Sequence, residues 1–340
     1  MDTLNSNLFR TAASLSLALT VATARAEPLQ PTEGPIETGG VIGGYTTDTA
    51  GNHSVNNYWI EGDDGLVVID GHWRLSDANR ALTALRATSA LPIEAFLLTH
   101  AHSDHFGGLP VFLEAAQADG GSADFYAAVW TARSIRHDEQ GFRANREDQF
   151  GDDFPTAIPE PTHLIEDGVT FEVAGISIEP VIFRQNESIE TVVFHIPSER
   201  ALFTGDMVNG ETFPVLYQGG LDGWIAQLKT LRARFPEVET VYPGHGAPGD
   251  FDTLVTDEIA ILEAHRNQIA AALGDDGIVD AAEGEAIADA LEAAFPNWRT
   301  TAGIPSRRQV IERNIDWTLR GWRIQGAGEG NAREFRLDTD

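Results

Sequence analysis

Cysteine is absent from the 340 residues. The chain therefore forms no disulfide and offers no thiolate to a metal ion, which fits an oxidising compartment in a protein that does without cross-links. Lysine is nearly absent as well. Lys229 is the only one, and Lys plus Arg number 23 against 52 Asp plus Glu, a net charge of −29. So acidic a field repels nucleic acid and anionic membranes, which argues against the processing of DNA or RNA. The preference for Arg over Lys is consistent with a saline habitat or with genome composition.

At the N-terminus, Arg10 precedes a small, apolar run from Ala12 to Ala24, closed by Ala24-Arg25-Ala26. This is the form of a secretory signal peptide over 1–26, cleaved before Glu27. The run is too short for a stable membrane span, so the mature chain is expected in the periplasm or outside the cell, with no membrane insertion. A buried helix is the competing reading, but Glu27-Pro28 and the Pro/Gly-rich stretch Pro31 to Gly44 would end it at once. At 42% hydrophobic residues, the remainder can bury the core of one large domain.

What the chain does have is the run Thr99-His100-Ala101-His102-Ser103-Asp104-His105-Phe106-Gly107-Gly108. Its imidazoles and carboxylate can converge only if the backbone turns there, since a helix or strand would point some of them away. Ala95-Phe96-Leu97-Leu98 reads as a buried strand running into His100. Gly107-Gly108 before Leu109-Pro110-Val111-Phe112-Leu113 reads as a turn opening a helix. Imidazole and carboxylate without thiolate suit zinc, manganese or iron.

Elsewhere, Tyr58-Trp59-Ile60 and Leu66 to Asp70 read as a β-hairpin across Gly62-Asp63-Asp64-Gly65, and Ser76 as the cap of a helix running through Arg86. Arg133, Arg136, Arg143 and Arg146 gather in a mixed stretch, read as a solvated helix with Arg–Glu pairs, before Pro155, Pro159 and Pro161, a loop expected to border the site. Strands follow at 169–173, 176–181, 191–196 and 200–206, then a helix from Asp222 to Phe235 and a strand at 239–242. Helices are predicted for Thr253 to Leu273, Asp280 to Phe295 and Ser306 to Arg320.

The H-x-H-x-D-H run resembles the defining loop of the metallo-β-lactamase superfamily. The resemblance implies an α/β fold: a four-layer αβ/βα sandwich over 27–273, with a one- or two-metal site at the sheet edge. Residues 274–325 would be a helical appendage packed on that body or forming a homodimer surface, and 326–340 a disordered tail. Asp70 would support a metal-binding histidine from behind. Gly205-Asp206 is similar to the family's bridging acid and Pro243-Gly244-His245-Gly246 to its final histidine. Where the family usually has a further histidine, this chain has Glu187, as the alkylsulfatase branch does. Arg143 to Gly151 also looks like a segment of that branch, whereas Gly205-Asp206 departs from it. Alternatively Glu187 is a loop acid, and His195 or solvent completes the set.

On this resemblance His100, His102 and Glu187 would hold one metal, Asp104, His105 and His245 the other, and Asp206 would bridge, with Asp104 and His245 next to the chemistry. Two Zn2+ are expected, with Mn2+ or Fe2+ possible because three carboxylates and a bridging hydroxide bring the site near neutrality. The function implied is a secreted hydrolase using metal-bound hydroxide on a small-molecule substrate with an ester-type bond: sulfate ester, lactone or carboxylic ester. Tyr217 and Arg184 are candidate substrate contacts. The alternatives are β-lactam hydrolysis, or an iron-dependent oxidoreductase, although His102 stands where diiron relatives place a glutamate.

Overall fold

The computed structural model describes residues 33–48, 54–218, 220–273, 277–300 and 303–330. The expected signal peptide and residues 331–340 lie outside them. One sheet holds β1 (Gly34–Pro35), β2 (Ile42–Asp48), β3 (Ser54–Glu61), β4 (Leu66–Ile69), β5 (Ile93–Leu97), β6 (Asp124–Ala128) and β7 (His163–Ile165), paired in chain order. The other holds β8 (Phe171–Val173), β9 (Ile176–Arg184), β10 (Glu190–Ile196), β11 (Ala201–Gly205), β12 (Thr240–Pro243) and β13 (Gly249–Asp250), again in chain order across the sheet. The helices are α1 (Leu75–Thr88), α2 (Ser103–Phe106), α3 (Leu109–Asp119), α4 (Val129–His137), α5 (Phe142–Phe150), α6 (Leu221–Arg234), α7 (Phe251–Ala272), α8 (Ala281–Ala294) and α9 (Arg307–Gly330).

The layering follows from side-chain alternation. In β4, Val67 and Ile69 enter the apolar layer between the sheets, while Leu66 and Val68 pack outward among α1 and α3. In β10 and β11, Val192, Phe194 and Phe203 face the same middle layer, and Val193 and Leu202 face α6 and α7. Strands covered on both faces read as continuous apolar runs, because successive residues serve opposite cores. Three apolar layers thus separate four layers of structure. Trp224 of α6 is fully buried and donates its indole N–H to the Met207 carbonyl at 2.9 Å, which ties the outer helix to the loop after β11.

A further core joins α7, α8 and α9. Ile261 and Ile269 pack with Ile287, Leu291, Val310, Ile311 and Ile315, and Phe213 enters from the sandwich. The helices at the C-terminus therefore share α7 with the body. The last one runs to Gly330, past the expected end at Arg320 and into the stretch from 326 expected as tail.

Two local expectations are corrected. Ser76 is not the cap of α1, which begins one residue earlier and has no side-chain cap at Arg74. Asp153 instead accepts from the Ser76 N–H at 2.8 Å and from its hydroxyl at 2.7 Å, so the free helix-end donors are met from far along the chain. Pro155 lines a groove between α1 and α3 with Leu82 and Val111, away from the histidine cluster.

Candidate metal centre

The strand–turn–helix reading around His100 holds: β5 ends at Leu97, His102 occupies the start of α2, and Asp104 and His105 lie on it. Loops from the second sheet meet this turn. Glu187 projects from the tight β9–β10 connection, where Asn186 accepts from the Ser188 N–H at 3.1 Å and the Thr191 hydroxyl at 2.9 Å. Asp206 follows β11 and His245 follows β12. Gly244 is required between them, since a Cβ there would lie 2.2 Å from Asp206 Oδ1 and 2.7 Å from the His105 ring. Gly205 takes φ +51° against Thr99, a left-handed conformation that glycine adopts without strain.

All seven expected ligands are buried, and they fall into two groups: His100, His102, Glu187 and Asp206, and Asp104, His105 and His245. Within each group one ligand atom per residue lies within 4.8 Å of the others. Asp206 connects the groups, with Oδ2 3.6 Å from His100 Nε2 and 3.0 Å from His245 Nε2. Glu187 Oε1 lies 3.1 Å from His102 Nδ1.

Hydrogen bonds behind the cluster set the histidine tautomers. The Asp70 carboxylate accepts from the Thr99 N–H at 2.9 Å and from its hydroxyl at 2.8 Å, and receives His105 Nδ1 at 2.8 Å. Because the Thr99 hydroxyl already donates to Asp70, it accepts from His100 Nδ1 at 2.9 Å. His245 Nδ1 donates to the Ser54 carbonyl. In all three rings the Nδ1 proton is held outward, and Nε2 is aimed at the centre, the orientation metal-binding imidazoles require.

Four buried atoms facing that centre make no hydrogen bond: Nε2 of His100 and His105, Oε2 of Glu187 and Oδ1 of Asp206. His105 Nε2 faces Asp206 Oδ1 at 3.2 Å without hydrogen-bond alignment. Orphaned buried polar atoms are costly, and several converging from separate elements fit a cationic partner. Burial disfavours charge on His245, but Asp206 and Asp104 outweigh it and push the imidazole up to about 10. His105 is raised for the same reason by Asp206, Asp70 and Asp104, while burial and the neighbouring His105 lower His100 well below the ordinary range. The set thus fits one or two divalent ions of borderline or hard character.

A model of the metallo-beta-lactamase superfamily matches residues 50–245, which carry this whole cluster. The chain belongs to that superfamily. Among curated relatives, a linear primary-alkylsulfatase from a Pseudomonas species is 24% identical over 221 residues, 56% of this chain and 41% of the relative. An atrochrysone carboxyl ACP thioesterase of Aspergillus aculeatus is 28% identical, over 64% of this chain and 59% of its own. The chain thus spans about half the length of these relatives. A metallo-beta-lactamase type 2 of Bacteroides fragilis is 23% identical over 55% of this chain and 70% of its own. The metallo-beta-lactamase from Pontibacter korlensis shares the fold at a TM-score of 0.54 and 20% identity, covering 68% of this chain and 99% of that structure. Members of the superfamily are mostly hydrolases, and the relatives named are an alkylsulfatase, a thioesterase and a metallo-beta-lactamase.

The superfamily centre opens into a cavity of about 210 Å³, walled by Trp73, Phe142, Arg146, Tyr217, Ile304 and Trp317 beside His102, Asp104, Glu187 and Asp206. Tyr217 is therefore placed as expected, but Arg184 is not. It pairs with buried Glu190 at 3.1 Å, and Glu190 also accepts the N–H groups of Trp130 and Thr131 at the start of α4. His195 lies on β10 facing Glu179 at 3.2 Å, outside the cluster. Sequence reasoning missed Thr99 and Ser54 as anchors and Trp73, Phe142, Ile304 and Trp317 as walls. Thr99 had a signal in its position beside the first histidine, whereas the walls had none.

Proposed function

We propose that this chain is an exported, metal-dependent hydrolase of small molecules with an ester-type bond, using two divalent ions, zinc foremost. The observation that carries the reading is a set of outward-anchored histidines in a buried cluster with four unpartnered ligand atoms. His100, His102 and Glu187 would hold one ion, Asp104, His105 and His245 the other, with Asp206 shared. Divalent ions there supply Lewis acidity and water of lowered pKa. The chain does the rest. Asp70 and Thr99 keep the imidazoles in register. The Asp104 carboxylate lines the cavity 3.4 Å from His245 Nε2, and it would take a proton from attacking water and return it to the leaving oxygen. Export to the periplasm or medium is supported by the signal-peptide form of residues 1–26.

The test is a panel of an alkyl sulfate, an acyl lactone, an aryl ester and a β-lactam, run on zinc-reconstituted protein with metal content determined by elemental analysis. Turnover of one ester-type substrate at about two metals per chain is expected. Stoichiometric iron with redox activity, or inactivity on all four substrates, would overturn the proposal.

A further inference from the structure

Part of the cavity wall comes from beyond the region matched by the superfamily model. Ile304, Arg313 and Trp317, all in the C-terminal helical part, face Trp73, Phe142 and Arg146 across the centre. Two of these six are arginines with no carboxylate partner among the described residues. The contrast within one segment is plain: Arg133, Arg136 and Arg143 pair with Glu139, Glu160 and Glu147. Arg146 instead turns inward, lies 4.5 Å over the Trp73 ring, and donates to Ser103 Oγ at 3.3 Å and to Gln149. Arg313 is exposed at the cavity and makes no ion pair or hydrogen bond among the described residues.

In a chain of net charge −29 carboxylates are abundant, yet among the described residues none forms an ion pair with either of these two guanidiniums, which line one cavity. Asp104, Glu187 and Asp206 share the cavity, but in the hydrolase reading above, on which this inference rests, their charge is matched by the ions they hold. The guanidiniums are then left for a ligand. At about 210 Å³ the cavity falls below the usual range for a whole drug-sized molecule, so it suits a polar head group with a short apolar stretch against the rings.

We propose that Arg146 and Arg313 form a two-guanidinium receptor for an oxyanion group, sulfate or carboxylate, on a substrate whose apolar part lies against Trp73, Phe142 and Trp317. Guanidinium suits this task because its fork of donors matches two oxygens at once. Helix α9 then selects the substrate while the sandwich performs the chemistry.

The experiment is calorimetric titration of zinc-loaded protein with hexanesulfonate, hexanoate and hexanol, none of which is hydrolysed. Wild type should bind at least one anion about tenfold more tightly than hexanol, and the preferred anion identifies the head group. Arg313→Gln and Arg146→Gln should each weaken that anion about tenfold, ~1.4 kcal/mol, and leave hexanol unchanged. Arg313→Lys should lose less than Arg313→Gln. Because Arg313 is exposed and makes no hydrogen bond or ion pair among the described residues, loss of fold does not obscure its result. Equal binding of hexanol and the anions, or wild-type anion affinity in Arg313→Gln as direct coordination by zinc would give, overturns the proposal. Failure of the hydrolase reading shows separately, in the substrate panel.

Discussion

By the resemblance read from the sequence, Glu187 takes the place of an imidazole, and its surroundings explain how a carboxylate is kept there. The Asn186 side chain closes the β9–β10 turn and reaches Gln227 of α6 at 3.1 Å, so the neighbouring acid is carried inward rather than into solvent. Burial raises the Glu187 carboxyl above its ordinary range, and His102 opposes that rise. Ligation would compensate the buried charge, and it leads to a prediction with two arms. Glu187→Ala should lose about one metal per chain and most activity with little change in fold, because the residue contributes no apolar packing. Glu187→His should keep both metals, add one positive unit, and shift preference toward zinc and anionic substrates. Elemental analysis with turnover measures both arms, and unchanged metal content in Glu187→Ala would reduce Glu187 to a loop acid.

Among the elements, α9 is the one whose role the sequence leaves open and packing defines. Asn314 is fully buried. Its Oδ1 accepts the Leu216 N–H at 2.9 Å and its Nδ2 donates to the Pro214 carbonyl at 2.8 Å, so α9 holds the loop that carries Val215 and Tyr217 to the cavity. Asn314→Ala would strand both backbone groups, at about 1–3 kcal/mol each. We expect a lower Tm and a KM that rises more than kcat falls, since the loop faces substrate and the metal residues sit elsewhere. Thermal unfolding and steady-state kinetics on the same variant check this, and an unchanged Tm would show that the loop is held by packing alone. The 3.6-residue periodicity revealed α9 as a helix, but a lone asparagine within it gives no sign of what it binds.

For the molecule as a whole, acid is the condition that most directly tests the junction between sandwich and appendage. His265 of α7 is buried, donates Nδ1–H to the Ile261 carbonyl at 2.9 Å, and presents Nε2 to Asn314 at 3.3 Å. Burial lowers its pKa to about 4, and that of His72 to about 3. A histidine whose folded pKa lies below its unfolded value of about 6.5 takes up protons on unfolding, so its contribution is complete above that pH. It is lost as pH falls from about 6.5 to about 4, by on the order of 3 kcal/mol for His265. Falling net negative charge acts the other way by relieving self-repulsion. Comparing wild type with His265→Gln by urea unfolding at pH 7 and pH 4.5 separates the two: the wild type should lose more stability than the variant. Equal losses would place the acid sensitivity elsewhere.

The sequence by itself determined the ligand loop and most strands and helices from residue 169 onward, and its resemblance to the superfamily pointed to Asp206, Glu187 and His245, while β2, β6 and β7 went unread. Those features are local: a strand end, a turn and a helix start are specified by a few adjacent residues, and apolar alternation reports which faces are covered. The tertiary structure alone decided the rest. Ser76 receives its helix-end partner from Asp153, Arg184 is taken up by Glu190, and His195 is turned toward Glu179. The cavity wall joins Trp73 and Arg146 to Arg313 and Trp317. Each of these is a contact between residues distant in sequence, chosen by how two cores pack around α7, and no local pattern encodes such a pairing.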